Sequence, residues 1–597
     1  MKYYGPDSRI HDILRSPVAC AAIDQVFPGL LAATDLDRLG IMPIRVVTGW
    51  QPAVMADRSK EQELWRELGT IEVVPAPPVE EHVDAPRADY EGDDIPEGSA
   101  AVTVPATASR WSPVEIRLDG PAHGNPFTDV ALTATFSLNG AETMAGGFYD
   151  GDGRWIIRFL PEATGTLSFT TSSTARSLRG ISGTVEISGA RPREHGPVRA
   201  QGCHFAHADG TRHLPLGTTA YAWLHQPEKV RAETLRTLGE TQFTKLRMCV
   251  FPKSMAYNSN DPDLYAFTRD ADGAFDWTRF DPRLFRRLER AVTDLGALGI
   301  QADLILFHPY DRWGFSDMGI AADHRYVRYL VRRLWAFPNV WWSMANEYDF
   351  VPSKEEPEWD RIGRIVAAED PAGHLRSIHN GYTIFDNARD WVTHASLQGM
   401  TENTDRWRGT WKKPVVIDEC GYEGDLPYGW GNLPGRELIR RFWEAAVRGG
   451  YAGHGETYYR DDEQIWWAKG GELTGEAPDR IAFLRRVIEE SPCGALDPIA
   501  LEETEFPVAG IEKQYYLVYF GFSRPRSYEL PLPAGDYRAD VIDTWNMTID
   551  SSTVTCDSTL RVDLPSREYM ALRLTALGHR RPESAAFAVR GRWQEES

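Results

Sequence analysis

The chain lacks the features that mark several large classes of protein. Its 597 residues contain no apolar run near the ~20 residues that a membrane-spanning helix requires. The N-terminal stretch MKYYGPDSRIHDILRSP has no apolar segment of the kind found in secretion signals. Basic residues are outnumbered by acidic ones: the chain has 65 Lys and Arg and 86 Asp and Glu, which gives a formal charge of −21 at pH 7. We therefore expect a cytoplasmic protein whose partners include neither a membrane nor nucleic acid.

Cysteine is rare, and no C-x-x-C pair occurs, so a zinc knuckle is not expected. Cys249 and Cys420 lie inside apolar segments, where a reduced, buried thiol is the ordinary interpretation. The segment LPLGTTAYAW contains no G-x-G-x-x-G, which argues against a nucleotide-binding fold. We predict neither a metal nor a cofactor. The six cysteines are Cys20, Cys203, Cys249, Cys420, Cys493 and Cys556.

What the sequence does contain is a series of segments with different periodicities. Helical patterns at the N-terminus give way to a stretch rich in proline and acidic residues, which predicts an extended linker. Short alternating segments such as VEIRLDG and ALTATFSLNG then predict an antiparallel β-sandwich, and a similar pattern recurs near the C-terminus. The expected units are a helical module (1–75), a linker (76–100), a β-sandwich (101–200), a barrel (201–495), a second β-sandwich (500–577) and a tail without interpretation (578–597).

Between the two sandwiches, apolar strands alternate with helices. Eight such strands are recognisable, from LPLGTTAYAW (214–223) to YAGHGETYY (451–459), and each is apolar enough to be buried on both faces. The helix that begins at Asp281-Pro282 is typical of the connections, with Asp281 as its N-cap. This alternation predicts a TIM (β/α)8 barrel. The expected fold class is a multidomain α/β protein in which the barrel is flanked by two antiparallel β-sandwiches and preceded by a small helical module.

Two of the barrel strands end on carboxylates. NVWWSMANEYD closes strand four with Asn346 and Glu347, and PVVIDECG closes strand seven with Glu419. An ionised carboxylate is costly to bury unless it is paired or its pKa moves. In TIM barrels, however, the carboxyl ends of the strands build the active site. Two carboxyl groups in one cleft suit glycoside hydrolysis: a protonated one serves the leaving oxygen, and an ionised one attacks the anomeric carbon or activates water.

These motifs resemble those of the large clan of retaining (β/α)8 glycoside hydrolases with glutamates on strands four and seven. The resemblance covers roughly residues 213–490. It implies that Glu347 is the acid/base and Glu419 the nucleophile, with the two carboxyl groups about 5–5.5 Å apart. It further implies that Asn346 binds the sugar 2-hydroxyl, that Arg247 in KLRMCVF steadies the nucleophile, and that His308 lines the sugar subsite.

The sequence ahead of the barrel supports a narrower likeness. LDGPAHGNPFTDV and GGFYDGDGRWIIRFLPEATG resemble an N-terminal sandwich domain that precedes barrels similar to apiosidases and other cellulase-like glycosidases. Those relatives span several substrates, so the likeness implies an architecture and not a particular sugar.

Further residues are predicted to line the sugar-binding pocket. The clan often carries His-x-Tyr on strand six, whereas THASLQG offers His394 and Gln398 without the tyrosine. Trp313 and Tyr422 are expected to form aromatic walls, because aromatic faces suit sugar rings. Glu456 on strand eight either binds sugar hydroxyls or is an ordinary loop acid.

Two charged strand residues have structural interpretations. Arg247 forms either part of the site or an ion pair with a core acid. Asp418 is expected to point behind the barrel, toward a helix, because neighbouring residues on a strand face opposite ways and Glu419 faces the mouth.

Three functions are compatible with these patterns. The leading hypothesis is a retaining, exo-acting glycosidase that acts on a small glycoside or oligosaccharide. The alternative is a non-catalytic carbohydrate-binding protein on a degenerate barrel, against which the presence of both glutamates argues. A metal-dependent barrel hydrolase would require His-x-His near strand one, and TTAYAWLHQ lacks it. The sequence leaves the sugar, its anomeric configuration and the oligomeric state open, with a homo-oligomer among the alternatives.

Overall fold

The computed structural model describes residues 3–578 except 35, 52, 53, 55–57, 493, 502 and 503. Cys493 and all but the first residue of the predicted tail therefore lie outside the described residues. A helical module, a β-sandwich, a parallel barrel and a second β-sandwich follow one another along the chain. The predicted fold class is confirmed.

Short helices packed around one apolar core form the N-terminal module. The helix Pro17–Val26 begins with proline in its first turn, and the Ser16 hydroxyl caps it by accepting a hydrogen bond from the Ala19 N–H at 3.2 Å. Ile10, Ile23 and Leu64 are fully buried in this core. The helices are Ile10–Ile13, Pro17–Val26, Leu30–Ala33, Leu36–Leu39, Ile44–Gly49 and Ser59–Leu68.

The proline-rich linker follows an extended path along the barrel. The His82 N–H donates to Nδ1 of His324, and the Asp84 carboxylate forms an ion pair with Arg325 at 2.5 Å. Both partners belong to the barrel helix Ile320–Leu334. These contacts hold the linker against that helix.

The first β-sandwich consists of two facing sheets that alternate buried and exposed residues. Val114–Asp119 pairs antiparallel with Arg154–Phe159 in one sheet, and Leu132–Leu138 pairs antiparallel with Gly165–Ser173 in the other. The remaining strands are Ala101–Thr103, Thr107–Ser109, Ala141–Gly146, Phe148–Tyr149 and Ser182–Ser188, and a short helix spans Pro126–Asp129.

Eight parallel strands, β1 to β8 in chain order, form the barrel. They are hydrogen-bonded in the order β5-β4-β3-β2-β1-β8-β7-β6. A parallel bridge between His379 and Ser396 joins the two ends of this sheet and closes it. The strands are Gly217–Thr219 (β1), Lys245–Cys249 (β2), Gln301–Phe307 (β3), Val340–Ala345 (β4), Arg376–Ser377 (β5), Ala395–Gln398 (β6), Val415–Glu419 (β7) and Tyr451–His454 (β8).

Helices on the outer side connect the strands. The helix Pro282–Ala297 begins as predicted, because the Asp281 carboxylate accepts the Arg283 N–H at 3.0 Å. The other long helices are Glu228–Glu240, Ile320–Leu334, Glu356–Glu369, Thr404–Trp411, Gly435–Val447 and Ala477–Glu489, with a short one at Trp466–Lys469.

Shorter strands lie outside the barrel wall. The hairpin of Val198–Gln201, His204–His207 and Arg212–His213 packs against the ends where the strands begin, since Phe205 contacts the rings of Trp341 and His394. Two further strand pairs belong to loops at the opposite end: Phe267–Arg269 with Phe275–Phe280, and Glu423–Gly424 with Glu456–Thr457.

The C-terminal sandwich is built around an antiparallel five-stranded sheet. Tyr519 of this sheet stacks on Trp443 of the barrel helix Gly435–Val447, with ring centroids 5.6 Å apart. The strands are Val508–Ile511, Tyr515–Tyr519, Gly535–Asp543, Thr548–Cys556 and Met570–Ala576, and a second sheet pairs Ser527–Pro531 with Thr559–Asp563.

Asp418 does not point behind the barrel, so that prediction is wrong. Lys245 Nζ on β2 donates to Asp418 Oδ1 at 2.6 Å and to Asp303 Oδ2 on β3 at 2.7 Å. Strands β2 and β7 are separated by β1 and β8, so these side chains meet only across the barrel interior. The register of β6 against β7 shifts between Ser396 and Gln398. A shift of this kind breaks the strict alternation of faces on which the prediction depended.

We expect Lys245→Met to destabilise the barrel by about 3–5 kcal/mol, because it leaves Asp303 and Asp418 buried without their shared cation. The matched control is Arg236→Met, which removes exposed ion pairs with Glu240 and Glu472 and should cost less than about 1 kcal/mol. Urea unfolding of both variants measures the difference. Equal losses would mean that the buried cluster contributes no more than a surface pair.

Candidate active site

Strand β4 ends in an unusual turn at Glu347. The backbone of Glu347 has φ 47° and ψ 57°, the left-handed conformation that residues other than glycine adopt at a cost of roughly 1–3 kcal/mol. A short turn, Tyr348–Phe350, follows, and the Tyr348 N–H donates to the His379 carbonyl at 2.9 Å. Strained backbone of this kind is frequent at functional sites.

The loops after β4 and β5 are fastened to each other beside this turn. The buried Asp349 carboxylate accepts the backbone N–H groups of Gly381, Tyr382 and Thr383 at 2.6–2.8 Å. Asp349 therefore has a structural role, which accounts for the aspartate at the end of the motif NVWWSMANEYD.

One oxygen of the Glu347 carboxyl group is held by two donors. The Tyr310 hydroxyl donates to Oε2 at 2.5 Å, and the Asn346 amide donates to the same oxygen at 2.9 Å. Glu347 is 6% exposed. This arrangement leaves Oε1 as the oxygen that can carry a proton.

The Glu419 carboxylate is likewise held through one oxygen. Oε1 accepts hydrogen bonds from the Tyr221 hydroxyl and from Arg247 Nη1, the latter at 3.1 Å. The same Arg247 nitrogen donates to Asn346 Oδ1 at 2.7 Å, so one guanidinium group links both strand ends. Oε2 is left facing the Gln398 side chain.

Gln398 lies between the two carboxyl groups. With its amide oriented to donate, Nε2 is 3.3 Å from Glu419 Oε2 and 3.3 Å from Glu347 Oε1. The two carboxyl oxygens therefore cannot be farther apart than twice 3.3 Å. Glu347 and Glu419 therefore face each other across a single side-chain nitrogen.

The surroundings push the pKa values of the two carboxyl groups apart. Burial, and then the negative charge of Glu419, raise the pKa of Glu347 to about 7. Burial also disfavours the ionised form of Glu419, but the charges of Arg247 and Lys253 and the hydrogen bond from the Tyr221 hydroxyl hold the pKa of Glu419 below its usual value. His379 adds its charge only in strongly acid solution, where its imidazole is protonated. Near neutral pH the pair thus contains one acid and one carboxylate.

His379 is a neutral member of this cluster. Burial lowers its pKa to about 3. Its Nδ1 faces the Glu347 N–H at 3.4 Å and acts as the acceptor, so the proton resides on Nε2, 3.8 Å from Glu419 Oε1.

Four residues of the cluster were not among the sequence predictions: Tyr221, Tyr310, Lys253 and His379. Tyr221 follows β1 and Tyr310 follows β3, so both stand where TIM-barrel sites are built, and their position after a strand is the signal that could have found them. Lys253 and His379 lie beyond the ends of β2 and β5, where only the fold reveals the direction of the side chain.

Two other predicted residues lie close to this cluster. Tyr422 is 2% exposed, and its hydroxyl is 3.5 Å from that of Tyr221. His308 is buried, its Nε2 is 3.4 Å from the Phe251 carbonyl, and burial lowers its pKa to about 3. The ring of His308 is therefore neutral at pH 7.

The structure places His394 away from the carboxyl pair and Trp313 on a loop. His394 precedes β6 and packs against Phe205 and Trp341, at the end of the barrel where the strands begin. The resemblance to the His-x-Tyr of strand six predicts His394 at the mouth, whereas a residue that precedes the strand lies at the opposite end of the barrel. Trp313 lies on the loop after β3, where its indole N–H donates to Asp261 at 2.9 Å.

Glu456 is also engaged elsewhere. Its carboxylate accepts the Thr474 hydroxyl and the backbone N–H groups of Thr474 and Gly475, all at 2.8–2.9 Å. Of the two interpretations left open, the structural one fits these contacts.

Among the described residues, one group of three side chains has the spacing of a metal site. Glu423, His454 and Glu456 each offer a ligand atom within 4.8 Å of the others. The Glu423 carboxylate already accepts the Glu476 and Ala477 N–H groups and so caps the helix that starts at Ala477. We assign this group to the packing of that helix.

No helix within the described ranges is long and apolar enough to cross a membrane.

Comparison with known proteins agrees with this geometry. Residues 199–490 match the model of the apiosidase-like catalytic domain. A crystal structure of a candidate glycoside hydrolase from Bacteroides vulgatus is 36% identical, with a TM-score of 0.75, and the match covers 79% of this chain and 99% of that one. The chain belongs to the glycoside hydrolases. It is an enzyme of the glycosidase class, and the predicted resemblance to clan members with an apiosidase-like barrel is confirmed.

More distant relatives show the fold alone. A family 5 glycoside hydrolase from Bacteroides vulgatus is 15% identical, with a TM-score of 0.52, and the match covers 66% of this chain and 98% of that one. Residues 107–174 and 505–575 match two domain families of unknown function. No curated protein matches the chain.

Proposed function

We propose that this glycosidase is a retaining, exo-acting enzyme that removes a terminal sugar by double displacement. Glu419 Oε2 attacks the anomeric carbon while Glu347 gives its proton to the leaving oxygen, and the bond from sugar to aglycone breaks. In the second step Glu347, now ionised, takes a proton from a water molecule as the water oxygen attacks the anomeric carbon. The ester bond from the sugar to Glu419 breaks, and the Glu419 carboxylate is regenerated.

The observation that carries this proposal is the shared Gln398 nitrogen. Retaining glycosidases hold their two carboxyl groups about 5–5.5 Å apart, whereas inverting enzymes leave room for a water at roughly 6.5–9.5 Å. Oxygens of Glu347 and Glu419 that each lie 3.3 Å from one atom are separated by no more than twice that distance, a limit that includes the retaining spacing and excludes nearly all of the inverting range. The spacing supports direct attack by Glu419.

The hydrogen bonds support the same division of roles. Tyr221 and Arg247 fix one oxygen of Glu419 and leave the other free to react. The raised pKa of Glu347, about 7, suits a group that must hold a proton in one step and lose it in the next. We assign Asn346, beside Glu347, to the sugar 2-hydroxyl.

Aromatic packing beside the carboxyl pair supports exo action. Lys253 is 2% exposed, and Tyr422, Trp430 and Trp467 pack their rings against one another beside the site, with centroids 4.9–6.1 Å apart. A wall of packed rings on one side of the site suits the end of a small glycoside better than the middle of a long chain.

We further propose a cytoplasmic location. The five described cysteines are all free thiols, as a reducing compartment would keep them.

Glu419→Gly should lose turnover of the best aryl glycoside in a nitrophenyl panel by at least ~10³-fold, because the nucleophile is gone. Azide or formate should restore part of it by occupying the vacated space. Glu142→Gly, an exposed glutamate on the first sandwich, is the control and should behave as wild type. A folded Glu419→Gly variant that no anion rescues would argue for inversion, and a panel without any hydrolysis would favour the non-catalytic alternative.

Glu347→Ala should slow natural-type aglycones far more than dinitrophenyl glycosides, because a weakly basic leaving group needs little protonation. The ratio of kcat/KM for poor and good leaving groups measures the effect. An equal loss on both would remove Glu347 from the acid role.

A further inference from the structure

A lysine that the proposed mechanism does not use lies inside the same cluster. Lys253 follows β2 and is almost completely buried. Its Nζ lies 3.4 Å from the centroid of the Tyr221 ring and 4.2 Å from that of Tyr310, with the Trp467 ring at 5.7 Å. Aromatic faces therefore surround the ammonium group.

The position of Lys253 relative to the carboxyl pair follows from these rings. The Tyr221 hydroxyl binds Glu419, and the Tyr310 hydroxyl binds Glu347. Lys253 lies over both rings, so it faces the space where a sugar bound to the two glutamates must lie. Its backbone is fixed, because the Lys253 carbonyl accepts the Asn258 amide at 2.6 Å.

The ammonium group has no acceptor in the described part of the chain. Lys253 Nζ donates no hydrogen bond and forms no ion pair within 4.0 Å there. The buried Lys245 and Lys354 differ in this respect, since each forms an ion pair with an aspartate at 2.6–2.8 Å. A buried ammonium whose N–H groups lack partners is costly. An acceptor is therefore expected from a ligand.

The charges around Lys253 indicate what kind of acceptor. Burial lowers the pKa of Lys253, as does the charge of Arg247, whereas Cys249, Glu347 and Glu419 act in the opposite direction. Burial keeps the Cys249 thiol neutral by raising its pKa to about 11, and Arg247 is paired with Glu419. When Glu347 holds its proton, Glu419 is left to balance two cations, Arg247, with which it forms an ion pair, and Lys253.

We propose that Lys253 binds the carboxylate of a sugar acid, so that the terminal sugar of the substrate is a uronic acid. A sugar hydroxyl would satisfy the N–H groups but add no negative charge beside the two cations, whereas a carboxylate satisfies both requirements. The inference rests on the proposed function and specifies its substrate class.

Binding of free sugars tests this without any need for turnover. The probes are D-glucuronate, D-galacturonate and D-mannuronate, each compared with its neutral parent hexose by thermal shift and calorimetry. We expect at least one acid to bind wild type at least 10-fold more tightly than its parent. In Lys253→Met that preference should disappear, and in the exposed control Lys60→Met it should remain.

Two results would overturn the inference: no acid binds better than its parent, or the preference survives in a folded Lys253→Met variant. Paired nitrophenyl uronides and hexosides separate this inference from the proposed function. Release from hexosides and not from uronides contradicts the uronic acid and leaves the glycosidase mechanism standing. If neither hexosides nor uronides are hydrolysed, the proposed mechanism is contradicted. Sugar binding then decides the inference by itself.

Discussion

Two carboxyl groups on either side of one amide nitrogen cannot both ionise without strong repulsion, and much of the site follows from that constraint. Glu347 and Glu419 share Gln398 as a neighbour, so the first charge to form raises the pKa of the other group. The structure determines which one ionises. Arg247 and Tyr221 are placed against Glu419, whereas Glu347 receives only neutral donors.

The barrel supplies the rigidity that this asymmetry needs. Below the site, Lys245 spans the interior between Asp303 and Asp418. Arg247 lies two residues farther along the same strand and reaches the ends of β4 and β7. A buried ion cluster is weak evidence for stability, but it fixes the relative positions of strands that are not neighbours. The register shift beside Ser396 allows both Asp418 and Glu419 to face inward.

Much of this arrangement could be predicted from the sequence, because the ends of buried strands can be recognised where an apolar run gives way to polar residues. Apolar runs identified all eight barrel strands, and Glu347 and Glu419 could be recognised as acids that terminate such runs. The direction of single side chains could not be predicted in the same way. Asp418 was misplaced because a bulge is set by strand pairing, and Tyr310 and Lys253 lie on loops whose course depends on tertiary contacts. The left-handed turn at Glu347 has no local sequence signal, since no glycine occupies it.

The central claim is that one carboxyl group of the pair keeps its proton to about pH 7 while the other is ionised. A carbon-13 NMR titration of the glutamate side-chain carboxyls measures this directly in wild type, Glu347→Gln and Glu419→Gln. The account predicts one carboxyl that titrates near pH 7 in wild type and is absent from Glu347→Gln. In Glu419→Gln its pKa should fall toward the ordinary value of ~4.3, because the neighbouring negative charge is gone. A wild-type spectrum without such a carboxyl, or one in which it persists in Glu347→Gln, would contradict the account.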